Sequence, residues 1–461
     1  MKRLLFIGIA GHAMRGLALA AKRAGYAVTG LDENAFPPGS DWLTKHDIAW
    51  TNIPDFKLFE SFDEIVLNAQ YPADYPFIVE AQRRGVPIIS FPDFLGQVTK
   101  MKHVIAVGGT HGKTTTTAFI TWLLESAGRH PDFLIGIQPF NFDASARLDG
   151  SDVVVIEGDE YKASNLDPHP KLDYYHPDVL VLTSVEMDHP DMFRDLAHVV
   201  DSFQAIVVRL PKSGRLYAWA DDPTVSEVAS HASAPVTAYG LEQGTVRARS
   251  IAYMPTGIEF DLEIDGAILG RLAVPLYGRH NILNSLAAVS VALGEGLTFD
   301  QVTVGAGTFK GAYRRFNVLT APSAPITVID DYAHHPTEVA ATIEAAKLHF
   351  PGRRLIAVFR PHTYSRTRTL LAEFQAAFEL ADVSYITDVE SAREALSDAT
   401  VSGNDVASGI PGVAHFVPGR SDLLGQLLHA AESCDVILCM SVSGYDKFAD
   451  ELAQTSTDKY R

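Results

Sequence analysis

"VIAVGGTHGKTTTTAFITWLLE", Val104 to Glu125, decides how this chain is read: an apolar run meets a glycine-rich turn and leaves it as a helix. That is the context a phosphate-binding loop requires. Gly108, Gly109 and Gly112 let the backbone close around phosphate oxygens, with Thr110 and His111 between them. Lys113 brings a point charge to the β/γ region, and Thr114, followed by Thr115, offers a hydroxyl to Mg²⁺. The strict Walker spacing fails at its first glycine, because Val107 stands five residues before Gly112. The loop is therefore a variant, "GTHGKTTT". A glycine turn capping a threonine-rich helix is the structural alternative, but Gly-Lys-Thr after a buried strand has few purely structural uses.

Around this loop, 461 residues exceed the size at which one hydrophobic core keeps growing, so two or three domains are expected. With 47% hydrophobic and 20% charged residues the composition is that of a soluble globular protein, and no apolar run approaches bilayer length. No membrane partner is expected. A formal charge of −18 without any Lys/Arg block argues equally against nucleic acid, so phosphates must be held by backbone N–H groups, helix N-termini, single cations or metal ions. Cys434 and Cys439, both in "CDVILCM", are too few for a disulfide framework or zinc site and read as buried reduced thiols. The N-terminal "MKRLLFIGIAGHA" resembles a signal peptide only superficially: its short apolar run leads into a glycine turn and an amphipathic helix. A first strand and a cytoplasmic location are expected.

The chain divides into three α/β stretches. From Leu4 to about Pro92, "LLFIGIAG", "YAVTGLD", "EIVLNA" and "VPIIS" alternate with helical patterns, which argues a parallel sheet wound with helices. A second run opens at His103 and includes a more β-like patch from about Leu216 to Tyr277. A third begins near Ala321 with "ITVIDDYAHHP". Domains are expected at residues 1–100, 101–320 and 321–461.

A switch protein and a ligase would both use the phosphate loop, so the other polar motifs must discriminate. "IEGDEY" ends one strong strand with Glu157, Asp159 and Glu160, and "SVEMDHPDMF" ends the next with Glu186, Asp188 and His189. Acids on two successive strand ends, with a histidine on the second, suggest more than one metal ion. In "GIAGHAMRG", Gly8, Gly11 and Gly16 sit one residue off the dinucleotide spacing, and Asp32 closes the second strand where a ribose hydroxyl would be met. "GRHNILNSLAA" sets His280, Asn281 and Asn284 at a helix start, for capping or for base and ribose contacts. "GAYRRFN" places Arg314 and Arg315 at a domain border, from which an arginine can reach a γ-phosphate. "DDYAHHPTE" packs two leading acids and two histidines beside a strand, with capping-box spacing from Thr337 as a local explanation for part of it.

Taken in order, "GTHGKTTT", "GDEY", "EMDH", "HNILN", "YRRF" and "DDYAHHPTE" make the chain resemble the Mur ligase family over nearly its whole length. The resemblance implies an N-terminal Rossmann-like domain for UDP-N-acetylmuramate, a central P-loop ATPase domain with a mostly parallel sheet and an added β patch, and a C-terminal Rossmann-like domain for an amino acid or short peptide. It implies ATP and Mg²⁺, with phosphorylation of a substrate carboxylate followed by attack of the amine. By the same resemblance Lys113, Glu157, His189 and Arg315 are catalytic, and Thr114, Glu157 and His189 bind metal. Residues 109–115, His280, Asn281, Asn284, Arg315 and Asp331 hold the nucleotide. Gly11, His12, Ala13, Met14, Asp32, Asn68, His334 and Arg366 face the other substrates.

Later ligases of the family carry a lysine after the "DH" strand, whereas Phe193 to Val208 contains none, which points to the muramate-using branch. Two amine partners compete there. "VTGLDENAFPPGS", "VLNAQYP" and "FLIGIQPFNFDASARL" resemble members taking the tripeptide L-Ala-γ-D-Glu-meso-diaminopimelate. "FRPHTYSRTRT" and "DVESARE" resemble those taking L-alanine, although Thr363 stands where their pattern has arginine. The greater number of matching positions puts the tripeptide first and L-alanine as the alternative.

Overall fold

The structure, a computed structural model, describes residues 1–35, 39–189, 192–392, 394, 399–443 and 447–459. Its apolar runs build three sheets. The first comprises β1 (Arg3–Ile7), β2 (Ala27–Leu31), β3 (Ala49–Thr51), β4 (Glu64–Leu67) and β5 (Ile88–Ser90), all parallel, in the order β3-β2-β1-β4-β5. Central β1 is covered on both faces, with Leu4, Leu5, Phe6 and Ile7 fully buried, which is why it reads as an unbroken apolar run. The sheet grows outward on both sides of β1, so the turn at residues 8–11 opens at a switch point, where α/β sheets form ligand crevices.

The second sheet holds β6 (His103–Gly108), β7 (Asp132–Leu134), β8 (Ala146–Arg147) and β9 (Val153–Glu157). A separate hairpin of β10 (Lys162–Ser164) and β11 (Asp167–Pro170) follows, then β12 (Val179–Leu182), β13 (Arg215–Trp219), β14 (Val236–Gly240), β15 (Val246–Met254), β16 (Gly257–Ile264) and β17 (Ala267–Val274). The order is β17-β16-β15-β14-β13-β12-β6-β9-β7-β8. Both neighbours of β6 run parallel to it, so the phosphate loop and the two acidic strand ends emerge side by side. The added antiparallel patch is β15–β17; β13 and β14, which the sequence grouped with it, are parallel members of the main sheet.

The third sheet contains β18 (Asn317–Val318), β19 (Thr327–Asp331), β20 (Leu355–Phe359), β21 (Val383–Ile386), β22 (Val413–Phe416) and β23 (Val436–Met440) in the order β18-β19-β23-β20-β21-β22. Only the short β18 is antiparallel. The chain is thus mixed α/β with mostly parallel sheets, as its alternation predicts. The first two sheets meet through the helix His12–Arg23 against β8, so tightly that a Cβ on Gly16 would lie 2.9 Å from that of Ala146. Of the two cysteines, Cys439 is buried in β23, but Cys434 is exposed in the turn before it, so the expectation of two buried thiols holds for one. No helix among the described residues is long and apolar enough to cross a membrane.

Candidate active site

The phosphate loop leaves β6 through Gly109 (φ 127°) and enters the helix Lys113–Ser126 through Gly112 (φ 79°). Both angles favour glycine, and space demands it as well: a Cβ would come within 2.2 Å of Thr183 Oγ1 at Gly109 and 2.4 Å of Asn284 Oδ1 at Gly112. Gly112 supplies no side-chain cap, so the first N–H groups of this helix face the cleft with no capping acceptor from it, as an anion site requires. Two later threonines of the helix are satisfied within it. Thr117 Oγ1 donates to Lys113 O at 2.8 Å and Thr121 Oγ1 to Thr117 O at 2.7 Å.

Lys113 folds back over the loop, donating to Gly109 O (2.6 Å), Thr110 O (3.0 Å) and Glu160 Oε2 (2.8 Å). Burial alone would lower its pKa, but Glu160, Asp159 and Glu157 outweigh it and raise it. Thr114 Oγ1 donates to Glu157 Oε1 at 2.8 Å, and Glu157 Oε2 accepts Gly136 N–H at 2.7 Å. His189, in the left-handed region (φ 53°), has Asp159 and Glu160 as its acidic cluster mates, their ligand atoms all within 4.8 Å of one another. Two sets that could hold a cation therefore sit beside the loop, Thr114–Glu157 and Asp159–Glu160–His189. The sequence supplied both acids of the second set but assigned His189 alone as its ligand.

Above the loop lies a cleft of about 150 Å³ lined by Gly112, Thr114, His280, Asn281, Asn284, Arg315 and Asp331 among others. The nucleotide-side residues named from sequence thus converge. Asn284 Nδ2 donates to Asn281 Oδ1 (2.9 Å) and its Oδ1 accepts from Thr116 (3.3 Å), while Asn281 Nδ2 reaches Tyr277 O (2.7 Å), so this pair braces the loop. The arginine pair divides its work. Arg314 is buried on Asp330 (2.9 Å) and on Val442 O (2.6 Å), whereas Arg315 lies over the Tyr332 ring, 5.0 Å from its centroid, and lines the cleft. Burial raises Asp331 to about 6 despite Arg315 and the N–H groups of Ala333 and Phe316, and it lowers His280 to about 4.

His111 Nε2, Arg315 Nε, His280 Nδ1 and Glu160 Oε1 are buried without a hydrogen-bond partner among the described residues. Native interiors rarely tolerate such atoms without a ligand or ion to complete them. Three cleft-lining nitrogens and one acid of a cluster that could hold a cation are what a nucleotide with Mg²⁺ would complete.

The C-terminal segment closes on the loop. The helix Pro336–His349 begins with a capping box from His335 to Glu338, two residues earlier than the spacing from Thr337 suggested. Its Glu338 Oε1 lies 3.2 Å from His111 Nδ1, Thr337 Oγ1 donates to Glu186 Oε2 at 2.6 Å, and His335 Nε2 is 3.1 Å from Met187 O. Arg366 donates through Nε (3.0 Å) and Nη2 (2.8 Å) to Asp188 Oδ1, with both side chains buried, and meets His362 Nδ1 through Nη1 (3.2 Å). Expected as a substrate-carboxylate ligand, Arg366 is here engaged by a carboxylate of the protein itself. His334 lies beside Glu338 (3.1 Å). In the first sheet, Asp32 accepts from the N–H of Ala10 (2.9 Å) and Asn34 (3.1 Å), and Asn68 Nδ2 donates to Gly8 O (3.3 Å). Both shape the turn that ends at Gly11; His12, Ala13 and Met14 form the first turn of the helix, where Met14 is buried in the core rather than facing a substrate and the side chain of His12 is outside the described residues. Sequence reasoning passed over Glu338, which joins the nearby His334 to the distant His111.

Three family models match in register with the three sheets: the Mur ligase family catalytic domain over residues 3–103, the Mur ligase middle domain over 107–292, and the Mur ligase glutamate ligase domain over 314–442. The UDP-N-acetylmuramate–L-alanine ligase of Desulfitobacterium hafniense is 33% identical, with 97% of this chain and 98% of that one covered. The chain belongs to the Mur ligase family. This Mur ligase shares its fold with the UDP-N-acetylmuramate-alanine ligase of Thermotoga maritima (TM-score 0.82, 23% identity, 100% of both chains). A murein peptide ligase of Psychrobacter arcticus is similar too (TM-score 0.74, 26% identity, 99% of both chains). It is accordingly an ATP-dependent ligase that forms a C–N bond.

Proposed function

We propose that this Mur ligase joins the carboxylate of UDP-N-acetylmuramate to the amine of L-alanine. The observation that carries the choice of amine is the name borne by curated relatives at 33–35% identity, UDP-N-acetylmuramate–L-alanine ligase, one of which matches over 97% of this chain. The expected order of amines is thereby reversed, and the C-terminal "FRPHTYSRTRT" now agrees with the relatives. The tripeptide stays as the second reading, supported by the likeness to the Psychrobacter murein peptide ligase.

Residues 1–100 would hold the uridine nucleotide at the turn after β1, residues 101–320 the ATP, and residues 321–461 the amine. When bound, MgATP supplies the phosphoryl group that turns the muramate carboxylate into an acyl phosphate, which the amine then attacks with release of phosphate. Lys113, held by Glu160 beside the loop, would bring its charge to the phosphates. Thr114 with Glu157, and His189 with Asp159 and Glu160, hold the cations. Arg315, with its unpaired Nε, meets the developing negative charge from the far wall. Asp331 takes the ribose side, and His334 lies on the amine side.

The test is ATP-dependent phosphate release in the presence of UDP-N-acetylmuramate, with L-alanine or the tripeptide as amine. Release with L-alanine supports the proposal; release with the tripeptide alone rejects it in favour of the second reading.

A further inference from the structure

Glu338 ties together two parts of the site that the sequence keeps 227 residues apart. Its Oε1 lies 3.2 Å from Nδ1 of His111, in the middle of the phosphate loop. Its Oε2 lies 3.1 Å from Nδ1 of His334 and also accepts the His334 N–H at 3.1 Å. The other ring edge of His111 faces a second carboxylate, Glu186 Oε2 at 3.6 Å, and that oxygen is held in place by the Thr337 hydroxyl. A histidine of the phosphate loop therefore lies between two acids, within hydrogen-bond distance of Glu338 from the C-terminal segment, while its Nε2 faces Glu186 of its own sheet without a hydrogen bond. Neither acid is needed to fold the loop, whose backbone is set by Ser184, Thr183 and the glycines.

We propose that Glu338 is a positioning residue for the reaction: by holding His111 and His334 with its two oxygens, it couples closure of the C-terminal segment to the charge and orientation of the loop histidine. Closed, the loop presents a second cation, the His111 imidazolium, beside Lys113. Open, His111 loses one of its two carboxylates and with it the reason to stay protonated. Burial alone would lower the pKa of His111, but Glu186 and Glu338 raise it to about 10. The groups facing His111 are Glu186, Glu338 and the His335 ring, 4.6 Å away between centroids; Glu338 also faces His334, with His280 and Asp331 further off. The loop's charge would then be complete only when the amine side of the site is assembled.

Glu338→Gln in the full chain separates this from a structural role, because glutamine serves a capping box as well as glutamate and keeps the helix start intact. Two readouts are needed. The ¹⁵N signals of the His111 ring at about pH 8, in protein without substrates, should change from doubly protonated to neutral. Affinity for a non-hydrolysable ATP analogue and kcat/KM for ATP and for the amine should fall together, by about 10–100-fold, the usual cost of removing a carboxylate that orients a histidine. His111 still doubly protonated in Glu338→Gln, or unchanged nucleotide affinity, overturns the proposal. The kinetic arm rests on the ligase reading. The ring spectra and the analogue titration do not, so a wild-type protein that releases no phosphate with either amine would reject that reading while these two still decide the role of Glu338.

Discussion

Glu157 and His189 stand in different cation-binding sets, and each is expected to be indispensable. Glu157→Ala leaves the Thr114 hydroxyl without its acceptor, and His189→Ala removes the imidazole from the cluster with Asp159 and Glu160, which keep Lys171 and Lys113 as their charged partners. Each should lower kcat by on the order of 100-fold or more, as loss of an electrostatic stabiliser does, and raise the Mg²⁺ concentration needed for half-maximal rate. A near wild-type rate in either variant contradicts its assignment. The buried histidines make a separate prediction about pH. His280 and His335 have pKa values pushed down to about 4 by burial, so between that value and the ordinary one of about 6.5 the unfolded chain binds more protons than the folded one. Stability must fall on acidification through that window. His111 acts in the opposite direction: its contribution is complete below about 6.5 and is lost as pH rises through about 10. Thermal midpoints measured across pH should therefore peak near neutrality, and His280→Asn should flatten the acid side.

The loop and its helix were legible from sequence because everything that defines them lies within a dozen residues: apolar run, glycines, lysine, threonines. Substitution at Gly112 tests that logic. Gly112→Ala meets both a left-handed φ of 79° and the Asn284 oxygen at 2.4 Å, whereas Gly85→Ala meets a similar φ of 70° in open space. Gly85→Ala should cost about 1–2 kcal/mol from backbone strain alone. Gly112→Ala should cost more and also abolish ATP binding, as read by thermal shift with and without nucleotide. Equal effects would mean that the loop does not need its close approach to Asn284. What sequence did not reveal were choices made between distant elements. Arg314 and Arg315 are adjacent and chemically identical, and only the placement of β19 gives Asp330 to the first and the cleft to the second. The capping box of the helix Pro336–His349 begins at His335, an unusual cap, so the spacing from Thr337 pointed to the wrong frame. The contacts of Glu338 and Glu186 with His111 carry no local signature, because they are set by how the sheets face each other.

At the scale of the whole molecule, the central and C-terminal segments are latched by His111–Glu338, Thr337–Glu186 and Arg366–Asp188. The cleft of about 150 Å³ lies beneath these contacts, so a swing of the C-terminal segment is expected to widen the way in for a nucleotide. The Arg366–Asp188 pair is the part of that latch in which both side chains are buried. Arg366→Met strands the Asp188 carboxylate, a loss of about 3–5 kcal/mol when a buried pair is broken from one side. The segments should then separate, visible as a larger radius of gyration in solution scattering; an unchanged radius would mean that the other contacts suffice. Three sheets, one cleft and a closing segment serve a single proposed outcome, an amide between UDP-N-acetylmuramate and L-alanine. Its most direct test is mass spectrometry of the product formed from MgATP, UDP-N-acetylmuramate and an equimolar mixture of L-alanine and the tripeptide. A product one alanyl residue heavier than UDP-N-acetylmuramate is predicted, and a product carrying only the tripeptide would contradict it.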